Sequence, residues 1–167
     1  MAAKPKPIRE SKNPHKGAGG KTPKSEFNIN VAKVPRTSTA IEGLDCNDRR
    51  VQFTFCDSDL DGPWSLAEIE PDHVADLFRF LKTIETHTFG ELTASGTGLY
   101  KEYSNFEKCP NGGAIQRLAD LYDSADNICR LSLGGKPRLY GLRFEHVIAL
   151  LWWDPEHEIW PSQLKHT

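Results

Sequence analysis

One acidic stretch has the residue types and spacing of a calcium-binding loop. Asp57-x-Asp59-x-Asp61-Gly62-x5-Glu68 places three carboxylates at alternate positions, a glycine where a sharp turn is needed, and a further glutamate. Oxygen ligands in this pattern form the Ca²⁺ shell of an EF-hand loop. We nevertheless predict a solvated acidic turn and no cofactor, because the preceding residues predict a strand instead of the incoming helix of an EF-hand. Calcium held by these four carboxylates is the alternative.

A second candidate for chemistry is His157, which lies between Glu156 and Glu158. Imidazole is the side chain whose ordinary pKa lies closest to neutrality, so it is well suited to moving protons. Neighbouring carboxylates favour the charged form, and we expect them to raise the pKa of His157. The pattern predicts a proton-transfer group, and the alternative is an exposed histidine in a polar turn.

Aromatic and basic residues near the end of the chain are candidates for substrate binding. Trp152, Trp153 and Trp160 could stack on nucleic-acid bases, although adjacent tryptophans at the end of a strand more commonly pack in a core. Lys165 could reach a phosphate.

The first 44 residues differ in composition from the rest. Up to Arg36 there are nine Lys and Arg residues against Glu10 and Glu26, a net charge of about +7, whereas the remainder carries 12 basic and 21 acidic residues, about −9. Few apolar residues are available there to offset the entropy of ordering. We predict a disordered basic tail over 1–44, which can contact nucleic acid or an acidic surface or simply keep the protein in solution.

The chain lacks the apolar segment of a secretory signal near its start, and no run approaches the ~18 apolar residues that span a bilayer. Its four cysteines are scattered without a C-x-x-C pair. We therefore expect a cytoplasmic protein without disulfides and without a membrane partner.

The elements that must position these residues begin with a strand and a helix. Val51, Phe53 and Phe55 alternate with polar neighbours, which predicts a half-buried strand. Pro71 is suited to the first position of a helix. The apolar residues after it recur at helical spacing on one face: Val74, Leu77, Phe78, Leu81 and Ile84.

The second half predicts another helix and three strands. Residues 87–112 are expected to be irregular, because their glycines oppose a long helix even though Thr88-x-x-Glu91 has the form of a capping box. A helix follows Gly112. Three apolar runs separated by turns then predict a three-stranded antiparallel meander over 128–133, 138–143 and 146–153. The continuous apolarity of the last run indicates a central strand that is buried on both faces. The prediction is a single α+β domain over 45–167: a strand, two helices and a meander.

This order of elements resembles the RelE/ParE-like toxin superfamily of small bacterial α+β proteins. The stretch Arg138-Leu139-Tyr140-Gly141-Leu142-Arg143, followed by the apolar run to Trp153, is similar to that family's last two strands. The ending Leu-Trp-Trp-Asp-Pro-Glu-His-Glu, residues 151–158, is similar to a recurring tail of uncharacterised bacterial proteins. The similarity covers roughly residues 48–160.

The resemblance implies a metal-independent endoribonuclease or translation inhibitor, with RNA or the ribosome as target and an antitoxin-like protein as partner. It places phosphate-binding arginines at Arg138 and Arg143 and a catalytic histidine at His157, with Tyr140 and Glu156 as further candidates. The two arginines lie five residues apart, so on a regular strand they face opposite sides. Both can serve one site only if a bulge, for which Gly141 is the candidate, intervenes.

Two other functions remain open from the sequence. One is a non-catalytic interaction module whose sheet binds a protein and whose basic tail contacts nucleic acid. The other is a calcium-binding protein that uses the loop at 57–68.

Overall fold

A computed structural model describes residues 35, 37, 46–94, 96, 98–123 and 125–161. All of them belong to one compact unit, Val31–Thr167. The predicted tail lies outside the described residues except for Pro35 and Thr37, which are both buried. The backbone N–H and the hydroxyl of Thr37 donate to Oδ2 of Asp57. Packing onto the domain therefore extends upstream of the boundary predicted at residue 45.

Five strands form one mixed sheet. They are β1 Gln52–Thr54, β2 Tyr100–Glu102, β3 Ile128–Ser132, β4 Arg138–Phe144 and β5 Val147–Asp154. Their order across the sheet is β1-β5-β4-β3-β2, with β1 parallel to β5 and every other pair antiparallel. β3, β4 and β5 are the predicted meander, so the α+β class is confirmed. The parallel pairing of β1 and the extra edge strand β2 were not predicted.

Three helices lie against the sheet. They are α1 Pro71–Ile84, α2 Phe89–Ala94 and α3 Gly112–Leu121. Buried residues of α1 and α2 share a core with Leu150 of β5, whereas those of α3 share a second core with Leu151. The sheet is therefore covered on both faces. Among the described residues, no helix combines the length and the apolarity needed to cross a membrane.

The segment 87–112, predicted to be irregular, contains α2 and β2. The Thr88 N–H donates to the Glu91 carboxylate at 2.8 Å, and the Glu91 N–H donates to the Thr88 hydroxyl at 3.2 Å, which is a reciprocal capping box. The helix ends before Gly96 and Gly98, whose φ angles of 58° and 73° favour glycine. α2 has only six residues, too few for apolar periodicity to reveal it.

Strand β5 is the centre of the fold, and all eight of its residues are buried. This confirms the prediction of a strand covered on both faces. Its pairing with β4 contains a bulge: Tyr140 pairs with Trp152 and Gly141 with Leu150, so Leu151 is the extra residue. Leu151 and Trp152 consequently point into the same core.

Candidate functional site

Strand β4 places the two predicted phosphate-binding arginines on opposite faces of the sheet. The bulge occurs at the predicted position, but its extra residue belongs to β5, so side chains along β4 alternate regularly. Nε of Arg143 donates to Glu102 at 3.0 Å, and the guanidinium lies 5.2 Å from the centre of the Phe89 ring. Arg143 is therefore held by an ion pair away from Arg138, and the two-arginine site does not form.

Arg138 lies instead with four other residues on the sheet face that carries α3. Arg130 of β3 pairs directly with Tyr140 of β4, two positions after Arg138, so all three side chains project to the same face. The ring of Tyr103, just beyond β2, stacks on that of Tyr140 with centroids 6.3 Å apart and planes at 18°. His157 completes the group, because the positive charges of Arg138 and Arg130 both act on its imidazole. We call Tyr103, Arg130, Arg138, Tyr140 and His157 the basic cluster.

A short loop after β5 holds His157 in place. The Asp154 carboxylate accepts the backbone N–H groups of Glu158 at 2.8 Å and Ile159 at 3.0 Å, which closes the loop. Sγ of Cys109 donates to the Ile159 carbonyl at 2.9 Å. His157 itself has a φ of 62°, a left-handed conformation that is uncommon for a residue with a side chain. Strained backbone of this kind is concentrated at functional sites.

Five buried polar atoms of the basic cluster make no hydrogen bond of ordinary geometry among the described residues, although the hydroxyl of Tyr103 interacts with Tyr140 and Arg130 inside the cluster. They are the hydroxyl oxygens of Tyr103 and Tyr140, Nε of Arg130 and Arg138, and Nε2 of His157. An unpaired buried polar group costs about 1–3 kcal/mol, and native proteins keep few of them. The hydroxyl and Nε–H groups are donors, so an anion with several oxygen atoms would satisfy them.

The positive charge of the basic cluster is not neutralised by an ion pair within the described residues. Nη1 of Arg138 donates to the carbonyl oxygens of Gly135 at 2.8 Å and Pro137 at 2.9 Å. The nearby carboxylate is that of Asp154, and its two oxygens already accept backbone N–H groups. An anion bound at the basic cluster would therefore contact two guanidinium groups, while the carboxylate of Asp154 remains bound to backbone N–H groups of the loop after β5.

The pKa of His157 is lowered, contrary to the prediction from its glutamate neighbours. Burial is the main cause, and the guanidinium groups of Arg138 and Arg130 lower the pKa further, while Asp154 opposes them. Glu156 is exposed and binds Lys136 at 2.7 Å, so it does not serve the imidazole. The surroundings of His157 therefore favour its neutral form, which can accept a proton.

The two tyrosines of the basic cluster stay protonated. Burial raises the pKa of Tyr103, and burial together with Tyr103 and Asp154 raises that of Tyr140. Beside them, the half-buried Trp160 stacks on Tyr103 with centroids 4.3 Å apart. Nζ of Lys101 lies 4.8 Å from the centre of the Tyr103 ring and 5.6 Å from that of Trp160. An exposed cation and an aromatic ring thus border the basic cluster.

The candidate calcium loop has a different role. Asp59 is buried, and its carboxylate accepts from Nε and Nη2 of Arg117 at 2.8 and 2.6 Å and from the indole N–H of Trp152 at 3.0 Å. Asp57 binds Thr37, as described above. No group of three or more His, Cys, Asp or Glu side chains in the described part of the chain is placed to hold a metal ion, and this includes Asp61 and Glu68. The calcium alternative is therefore not supported, and the burial of Asp57 and Asp59 also contradicts a fully solvated turn.

The remaining predicted contact residues lie elsewhere. Trp153 is buried in the opposite core, with its ring 5.5 Å from that of His73. Trp152 is also a core residue, as the packing alternative predicted. Lys165 falls outside the described residues.

Sequence reasoning missed Arg130, Tyr103 and Asp154. Arg130 is the lone cation in an apolar strand, and this was the one signal that could have marked it. Tyr103 and Asp154 carry no such signal, because their contribution depends on sheet pairing and on the loop after β5.

No family model, no curated protein and no solved structure matches the chain.

Proposed function

We propose that the basic cluster binds a phosphate group of RNA and that the protein cleaves the strand there without a metal ion, in the manner implied by its resemblance to RelE/ParE-like toxins. The observation that carries the proposal is made among the described residues. Two arginines without an ion pair, two buried tyrosine hydroxyls and an imidazole nitrogen without a hydrogen bond converge in one place. A site built only to stabilise the fold would be expected to pair these groups.

The binding step uses the donors. Arg130 and Arg138 supply charged N–H groups, which suit the oxygen atoms of a phosphate better than a lysine does. The hydroxyls of Tyr103 and Tyr140 can donate because their raised pKa keeps them protonated. The same donors would stabilise the additional negative charge that develops on the phosphate during reaction.

The chemical step uses His157. Neutral Nε2 takes the proton of the ribose 2′-hydroxyl as that oxygen attacks the adjacent phosphorus. A bond forms between the 2′-oxygen and phosphorus, the bond from phosphorus to the 5′-oxygen breaks, and the 5′-oxygen takes a proton from water. The hydroxide left by that water takes the proton from His157, which restores the neutral imidazole. The products are a 2′,3′-cyclic phosphate and a 5′-hydroxyl. DNA, which lacks the 2′-hydroxyl, would bind without being cut.

Induced expression in bacteria tests this proposal. Cells that produce the wild type are expected to stop growing and to accumulate cleaved RNA, whereas His157→Ala and Arg138→Ala relieve both effects. His87→Ala is the matched control, because the imidazole of His87 hydrogen bonds with Thr83 and Thr86 near the C-terminus of α1, outside the basic cluster. Normal growth with intact RNA in cells that contain soluble, folded wild type would rule the proposal out.

A further inference from the structure

The four large apolar side chains that are exposed among the described residues all line the same groove. They are Phe55, Leu60, Val74 and Phe78, with 59%, 59%, 37% and 61% of their surface exposed. Every one of them lines a groove of about 390 Å³ between α1, the turn at Leu66–Glu68 and the loop after β1. Scattered exposed apolar residues need no explanation, but a contiguous set marks a binding surface.

The apolar stripe of α1 is wider than the core beneath it. Leu77, Leu81 and Ile84 are buried, as their spacing predicts, but Val74 and Phe78 share that stripe and remain outside the core. The groove floor is Leu150 of β5. Ser58 is the polar side chain among the described lining residues, and its hydroxyl is already used by the Leu150 carbonyl at 2.9 Å. The groove therefore offers apolar contact and little else.

Exposed carboxylates lie next to the lining residues along the chain. Asp61 follows Leu60, and Glu68 and Glu70 flank Ile69; Glu70 also contacts Nδ1 of His73 at 3.2 Å. On α1, Arg79 is bound to Asp76 at 2.8 Å, which leaves Lys82 as the cation near Phe78 that no ion pair holds within the described residues. The rim is therefore net acidic.

We infer that the groove binds a basic amphipathic helix of a partner protein. Apolar residues at positions i, i+3, i+4 and i+7 of such a helix would fill the groove, and its lysines or arginines would face the acidic rim. A second copy of this chain would bring two acidic rims together, and an anionic lipid or fatty acid would meet the same repulsion. The surface lies on the α1 side of the sheet, so the inference does not depend on the proposed ribonuclease activity.

Fluorescence anisotropy with two designed helical peptides tests the inference. Both carry the same leucine face, one with lysines and the other with glutamates on the polar face. The full-length protein is expected to bind the lysine peptide, and Phe78→Gln to weaken that binding by about tenfold or more. Thr83→Gln, at an exposed position on the opposite side of α1, is the matched control and leaves the affinity unchanged.

Charge-reversal variants provide a second test of the inference. Glu68→Lys is expected to weaken the lysine peptide and to favour the glutamate peptide, whereas Glu107→Lys, an exposed position outside the groove, changes neither. Equal binding of both peptides, or affinity that Phe78→Gln does not reduce, would overturn the inference. So would a concentration-dependent dimer in sedimentation equilibrium that Phe78→Gln abolishes, because the occupant would then be a second copy.

Discussion

Arg130 of β3 and Tyr140 of β4 are directly opposite partners in an antiparallel pair, and Nε of the first and the hydroxyl of the second are both buried without a hydrogen bond of ordinary geometry among the described residues. The hairpin at Gly134 and Gly135, with φ angles of 94° and 63°, sets the register that places them together. A sheet thus holds two donors at a fixed distance, and the loop after β5 adds His157.

Arg130→Ala and Arg138→Ala are each expected to lower the affinity for RNA by about tenfold, because each removes a charged donor to phosphate. Arg143→Ala, on the other face, is expected to leave RNA binding unchanged and to lower the free energy of unfolding by about 0.5–1 kcal/mol through loss of its partly exposed ion pair with Glu102. Filter binding and urea denaturation of the three variants check this. An equal loss of RNA affinity in all three would contradict the assignment.

The pH dependence of cleavage is expected to report the lowered pKa of His157. A general base of this kind acts only when it is neutral, so the pH at which the rate falls to half of its maximum should lie below 6.5, the ordinary pKa of histidine. A pKa raised by the neighbouring glutamates would instead place that midpoint above 6.5. Initial rates at constant ionic strength distinguish the two, with circular dichroism to confirm that the fold persists.

Asp59 is expected to contribute strongly to stability. Burial raises its pKa, but the hydrogen bonds from Arg117 and Trp152 outweigh burial and hold it below the ordinary value of 3.8. The stabilisation by ionised Asp59 is therefore present above about pH 4 and is lost as pH falls through the lower, folded-state pKa. Asp59→Asn should cost about 3 kcal/mol at pH 7, because it leaves the partly buried Arg117 without its partner.

Denaturant midpoints at pH 7 and pH 3 measure this contribution, with the exposed Asp76→Asn as control. The difference between wild type and Asp59→Asn should shrink at the lower pH. A midpoint for Asp59→Asn that matches the control at pH 7 would contradict the role given to this carboxylate.

Gly141→Ala is expected to destabilise the fold by about 2–3 kcal/mol. A Cβ at this position would lie 2.7 Å from the carbonyl oxygen of Ala149 and 2.7 Å from Cγ2 of Ile148, so β4 and β5 would have to separate at the centre of the sheet. Gly112→Ala is the control, since a Cβ there has open space and alanine favours helix. Thermal unfolding of both variants checks the contrast.

Much of the fold could be predicted because the signals are local. The apolar run of β5, the start of α1 at Pro71 and the turn at Gly134 and Gly135 each depend on neighbouring residues. The parallel pairing of β1 with β5 and the position of the extra residue in β5 depend on contacts distant in sequence, so no local pattern specifies them. No local pattern shows that Val74 and Phe78 are exposed either, because they share the apolar stripe of α1 with residues that are buried.

The site was harder to predict than the fold. Arg138, Tyr140 and His157 were candidates, but their grouping with Arg130 and Tyr103 requires the register of three strands. The spacing of Asp57, Asp59, Asp61 and Glu68 fits a calcium loop, yet Arg117, 58 residues from Asp59, takes the central carboxylate. A sequence motif shows which ligand side chains are present, but not which other residues of the fold bind them.

Cleavage of a synthetic RNA by the purified full-length protein in the presence of EDTA tests the central claim most directly. The account predicts one cut product ending in a 2′,3′-cyclic phosphate, no cut when the attacking 2′-hydroxyl is replaced by hydrogen, and no cut by His157→Ala. Cleavage that survives in His157→Ala, or that requires a divalent metal ion, would contradict it.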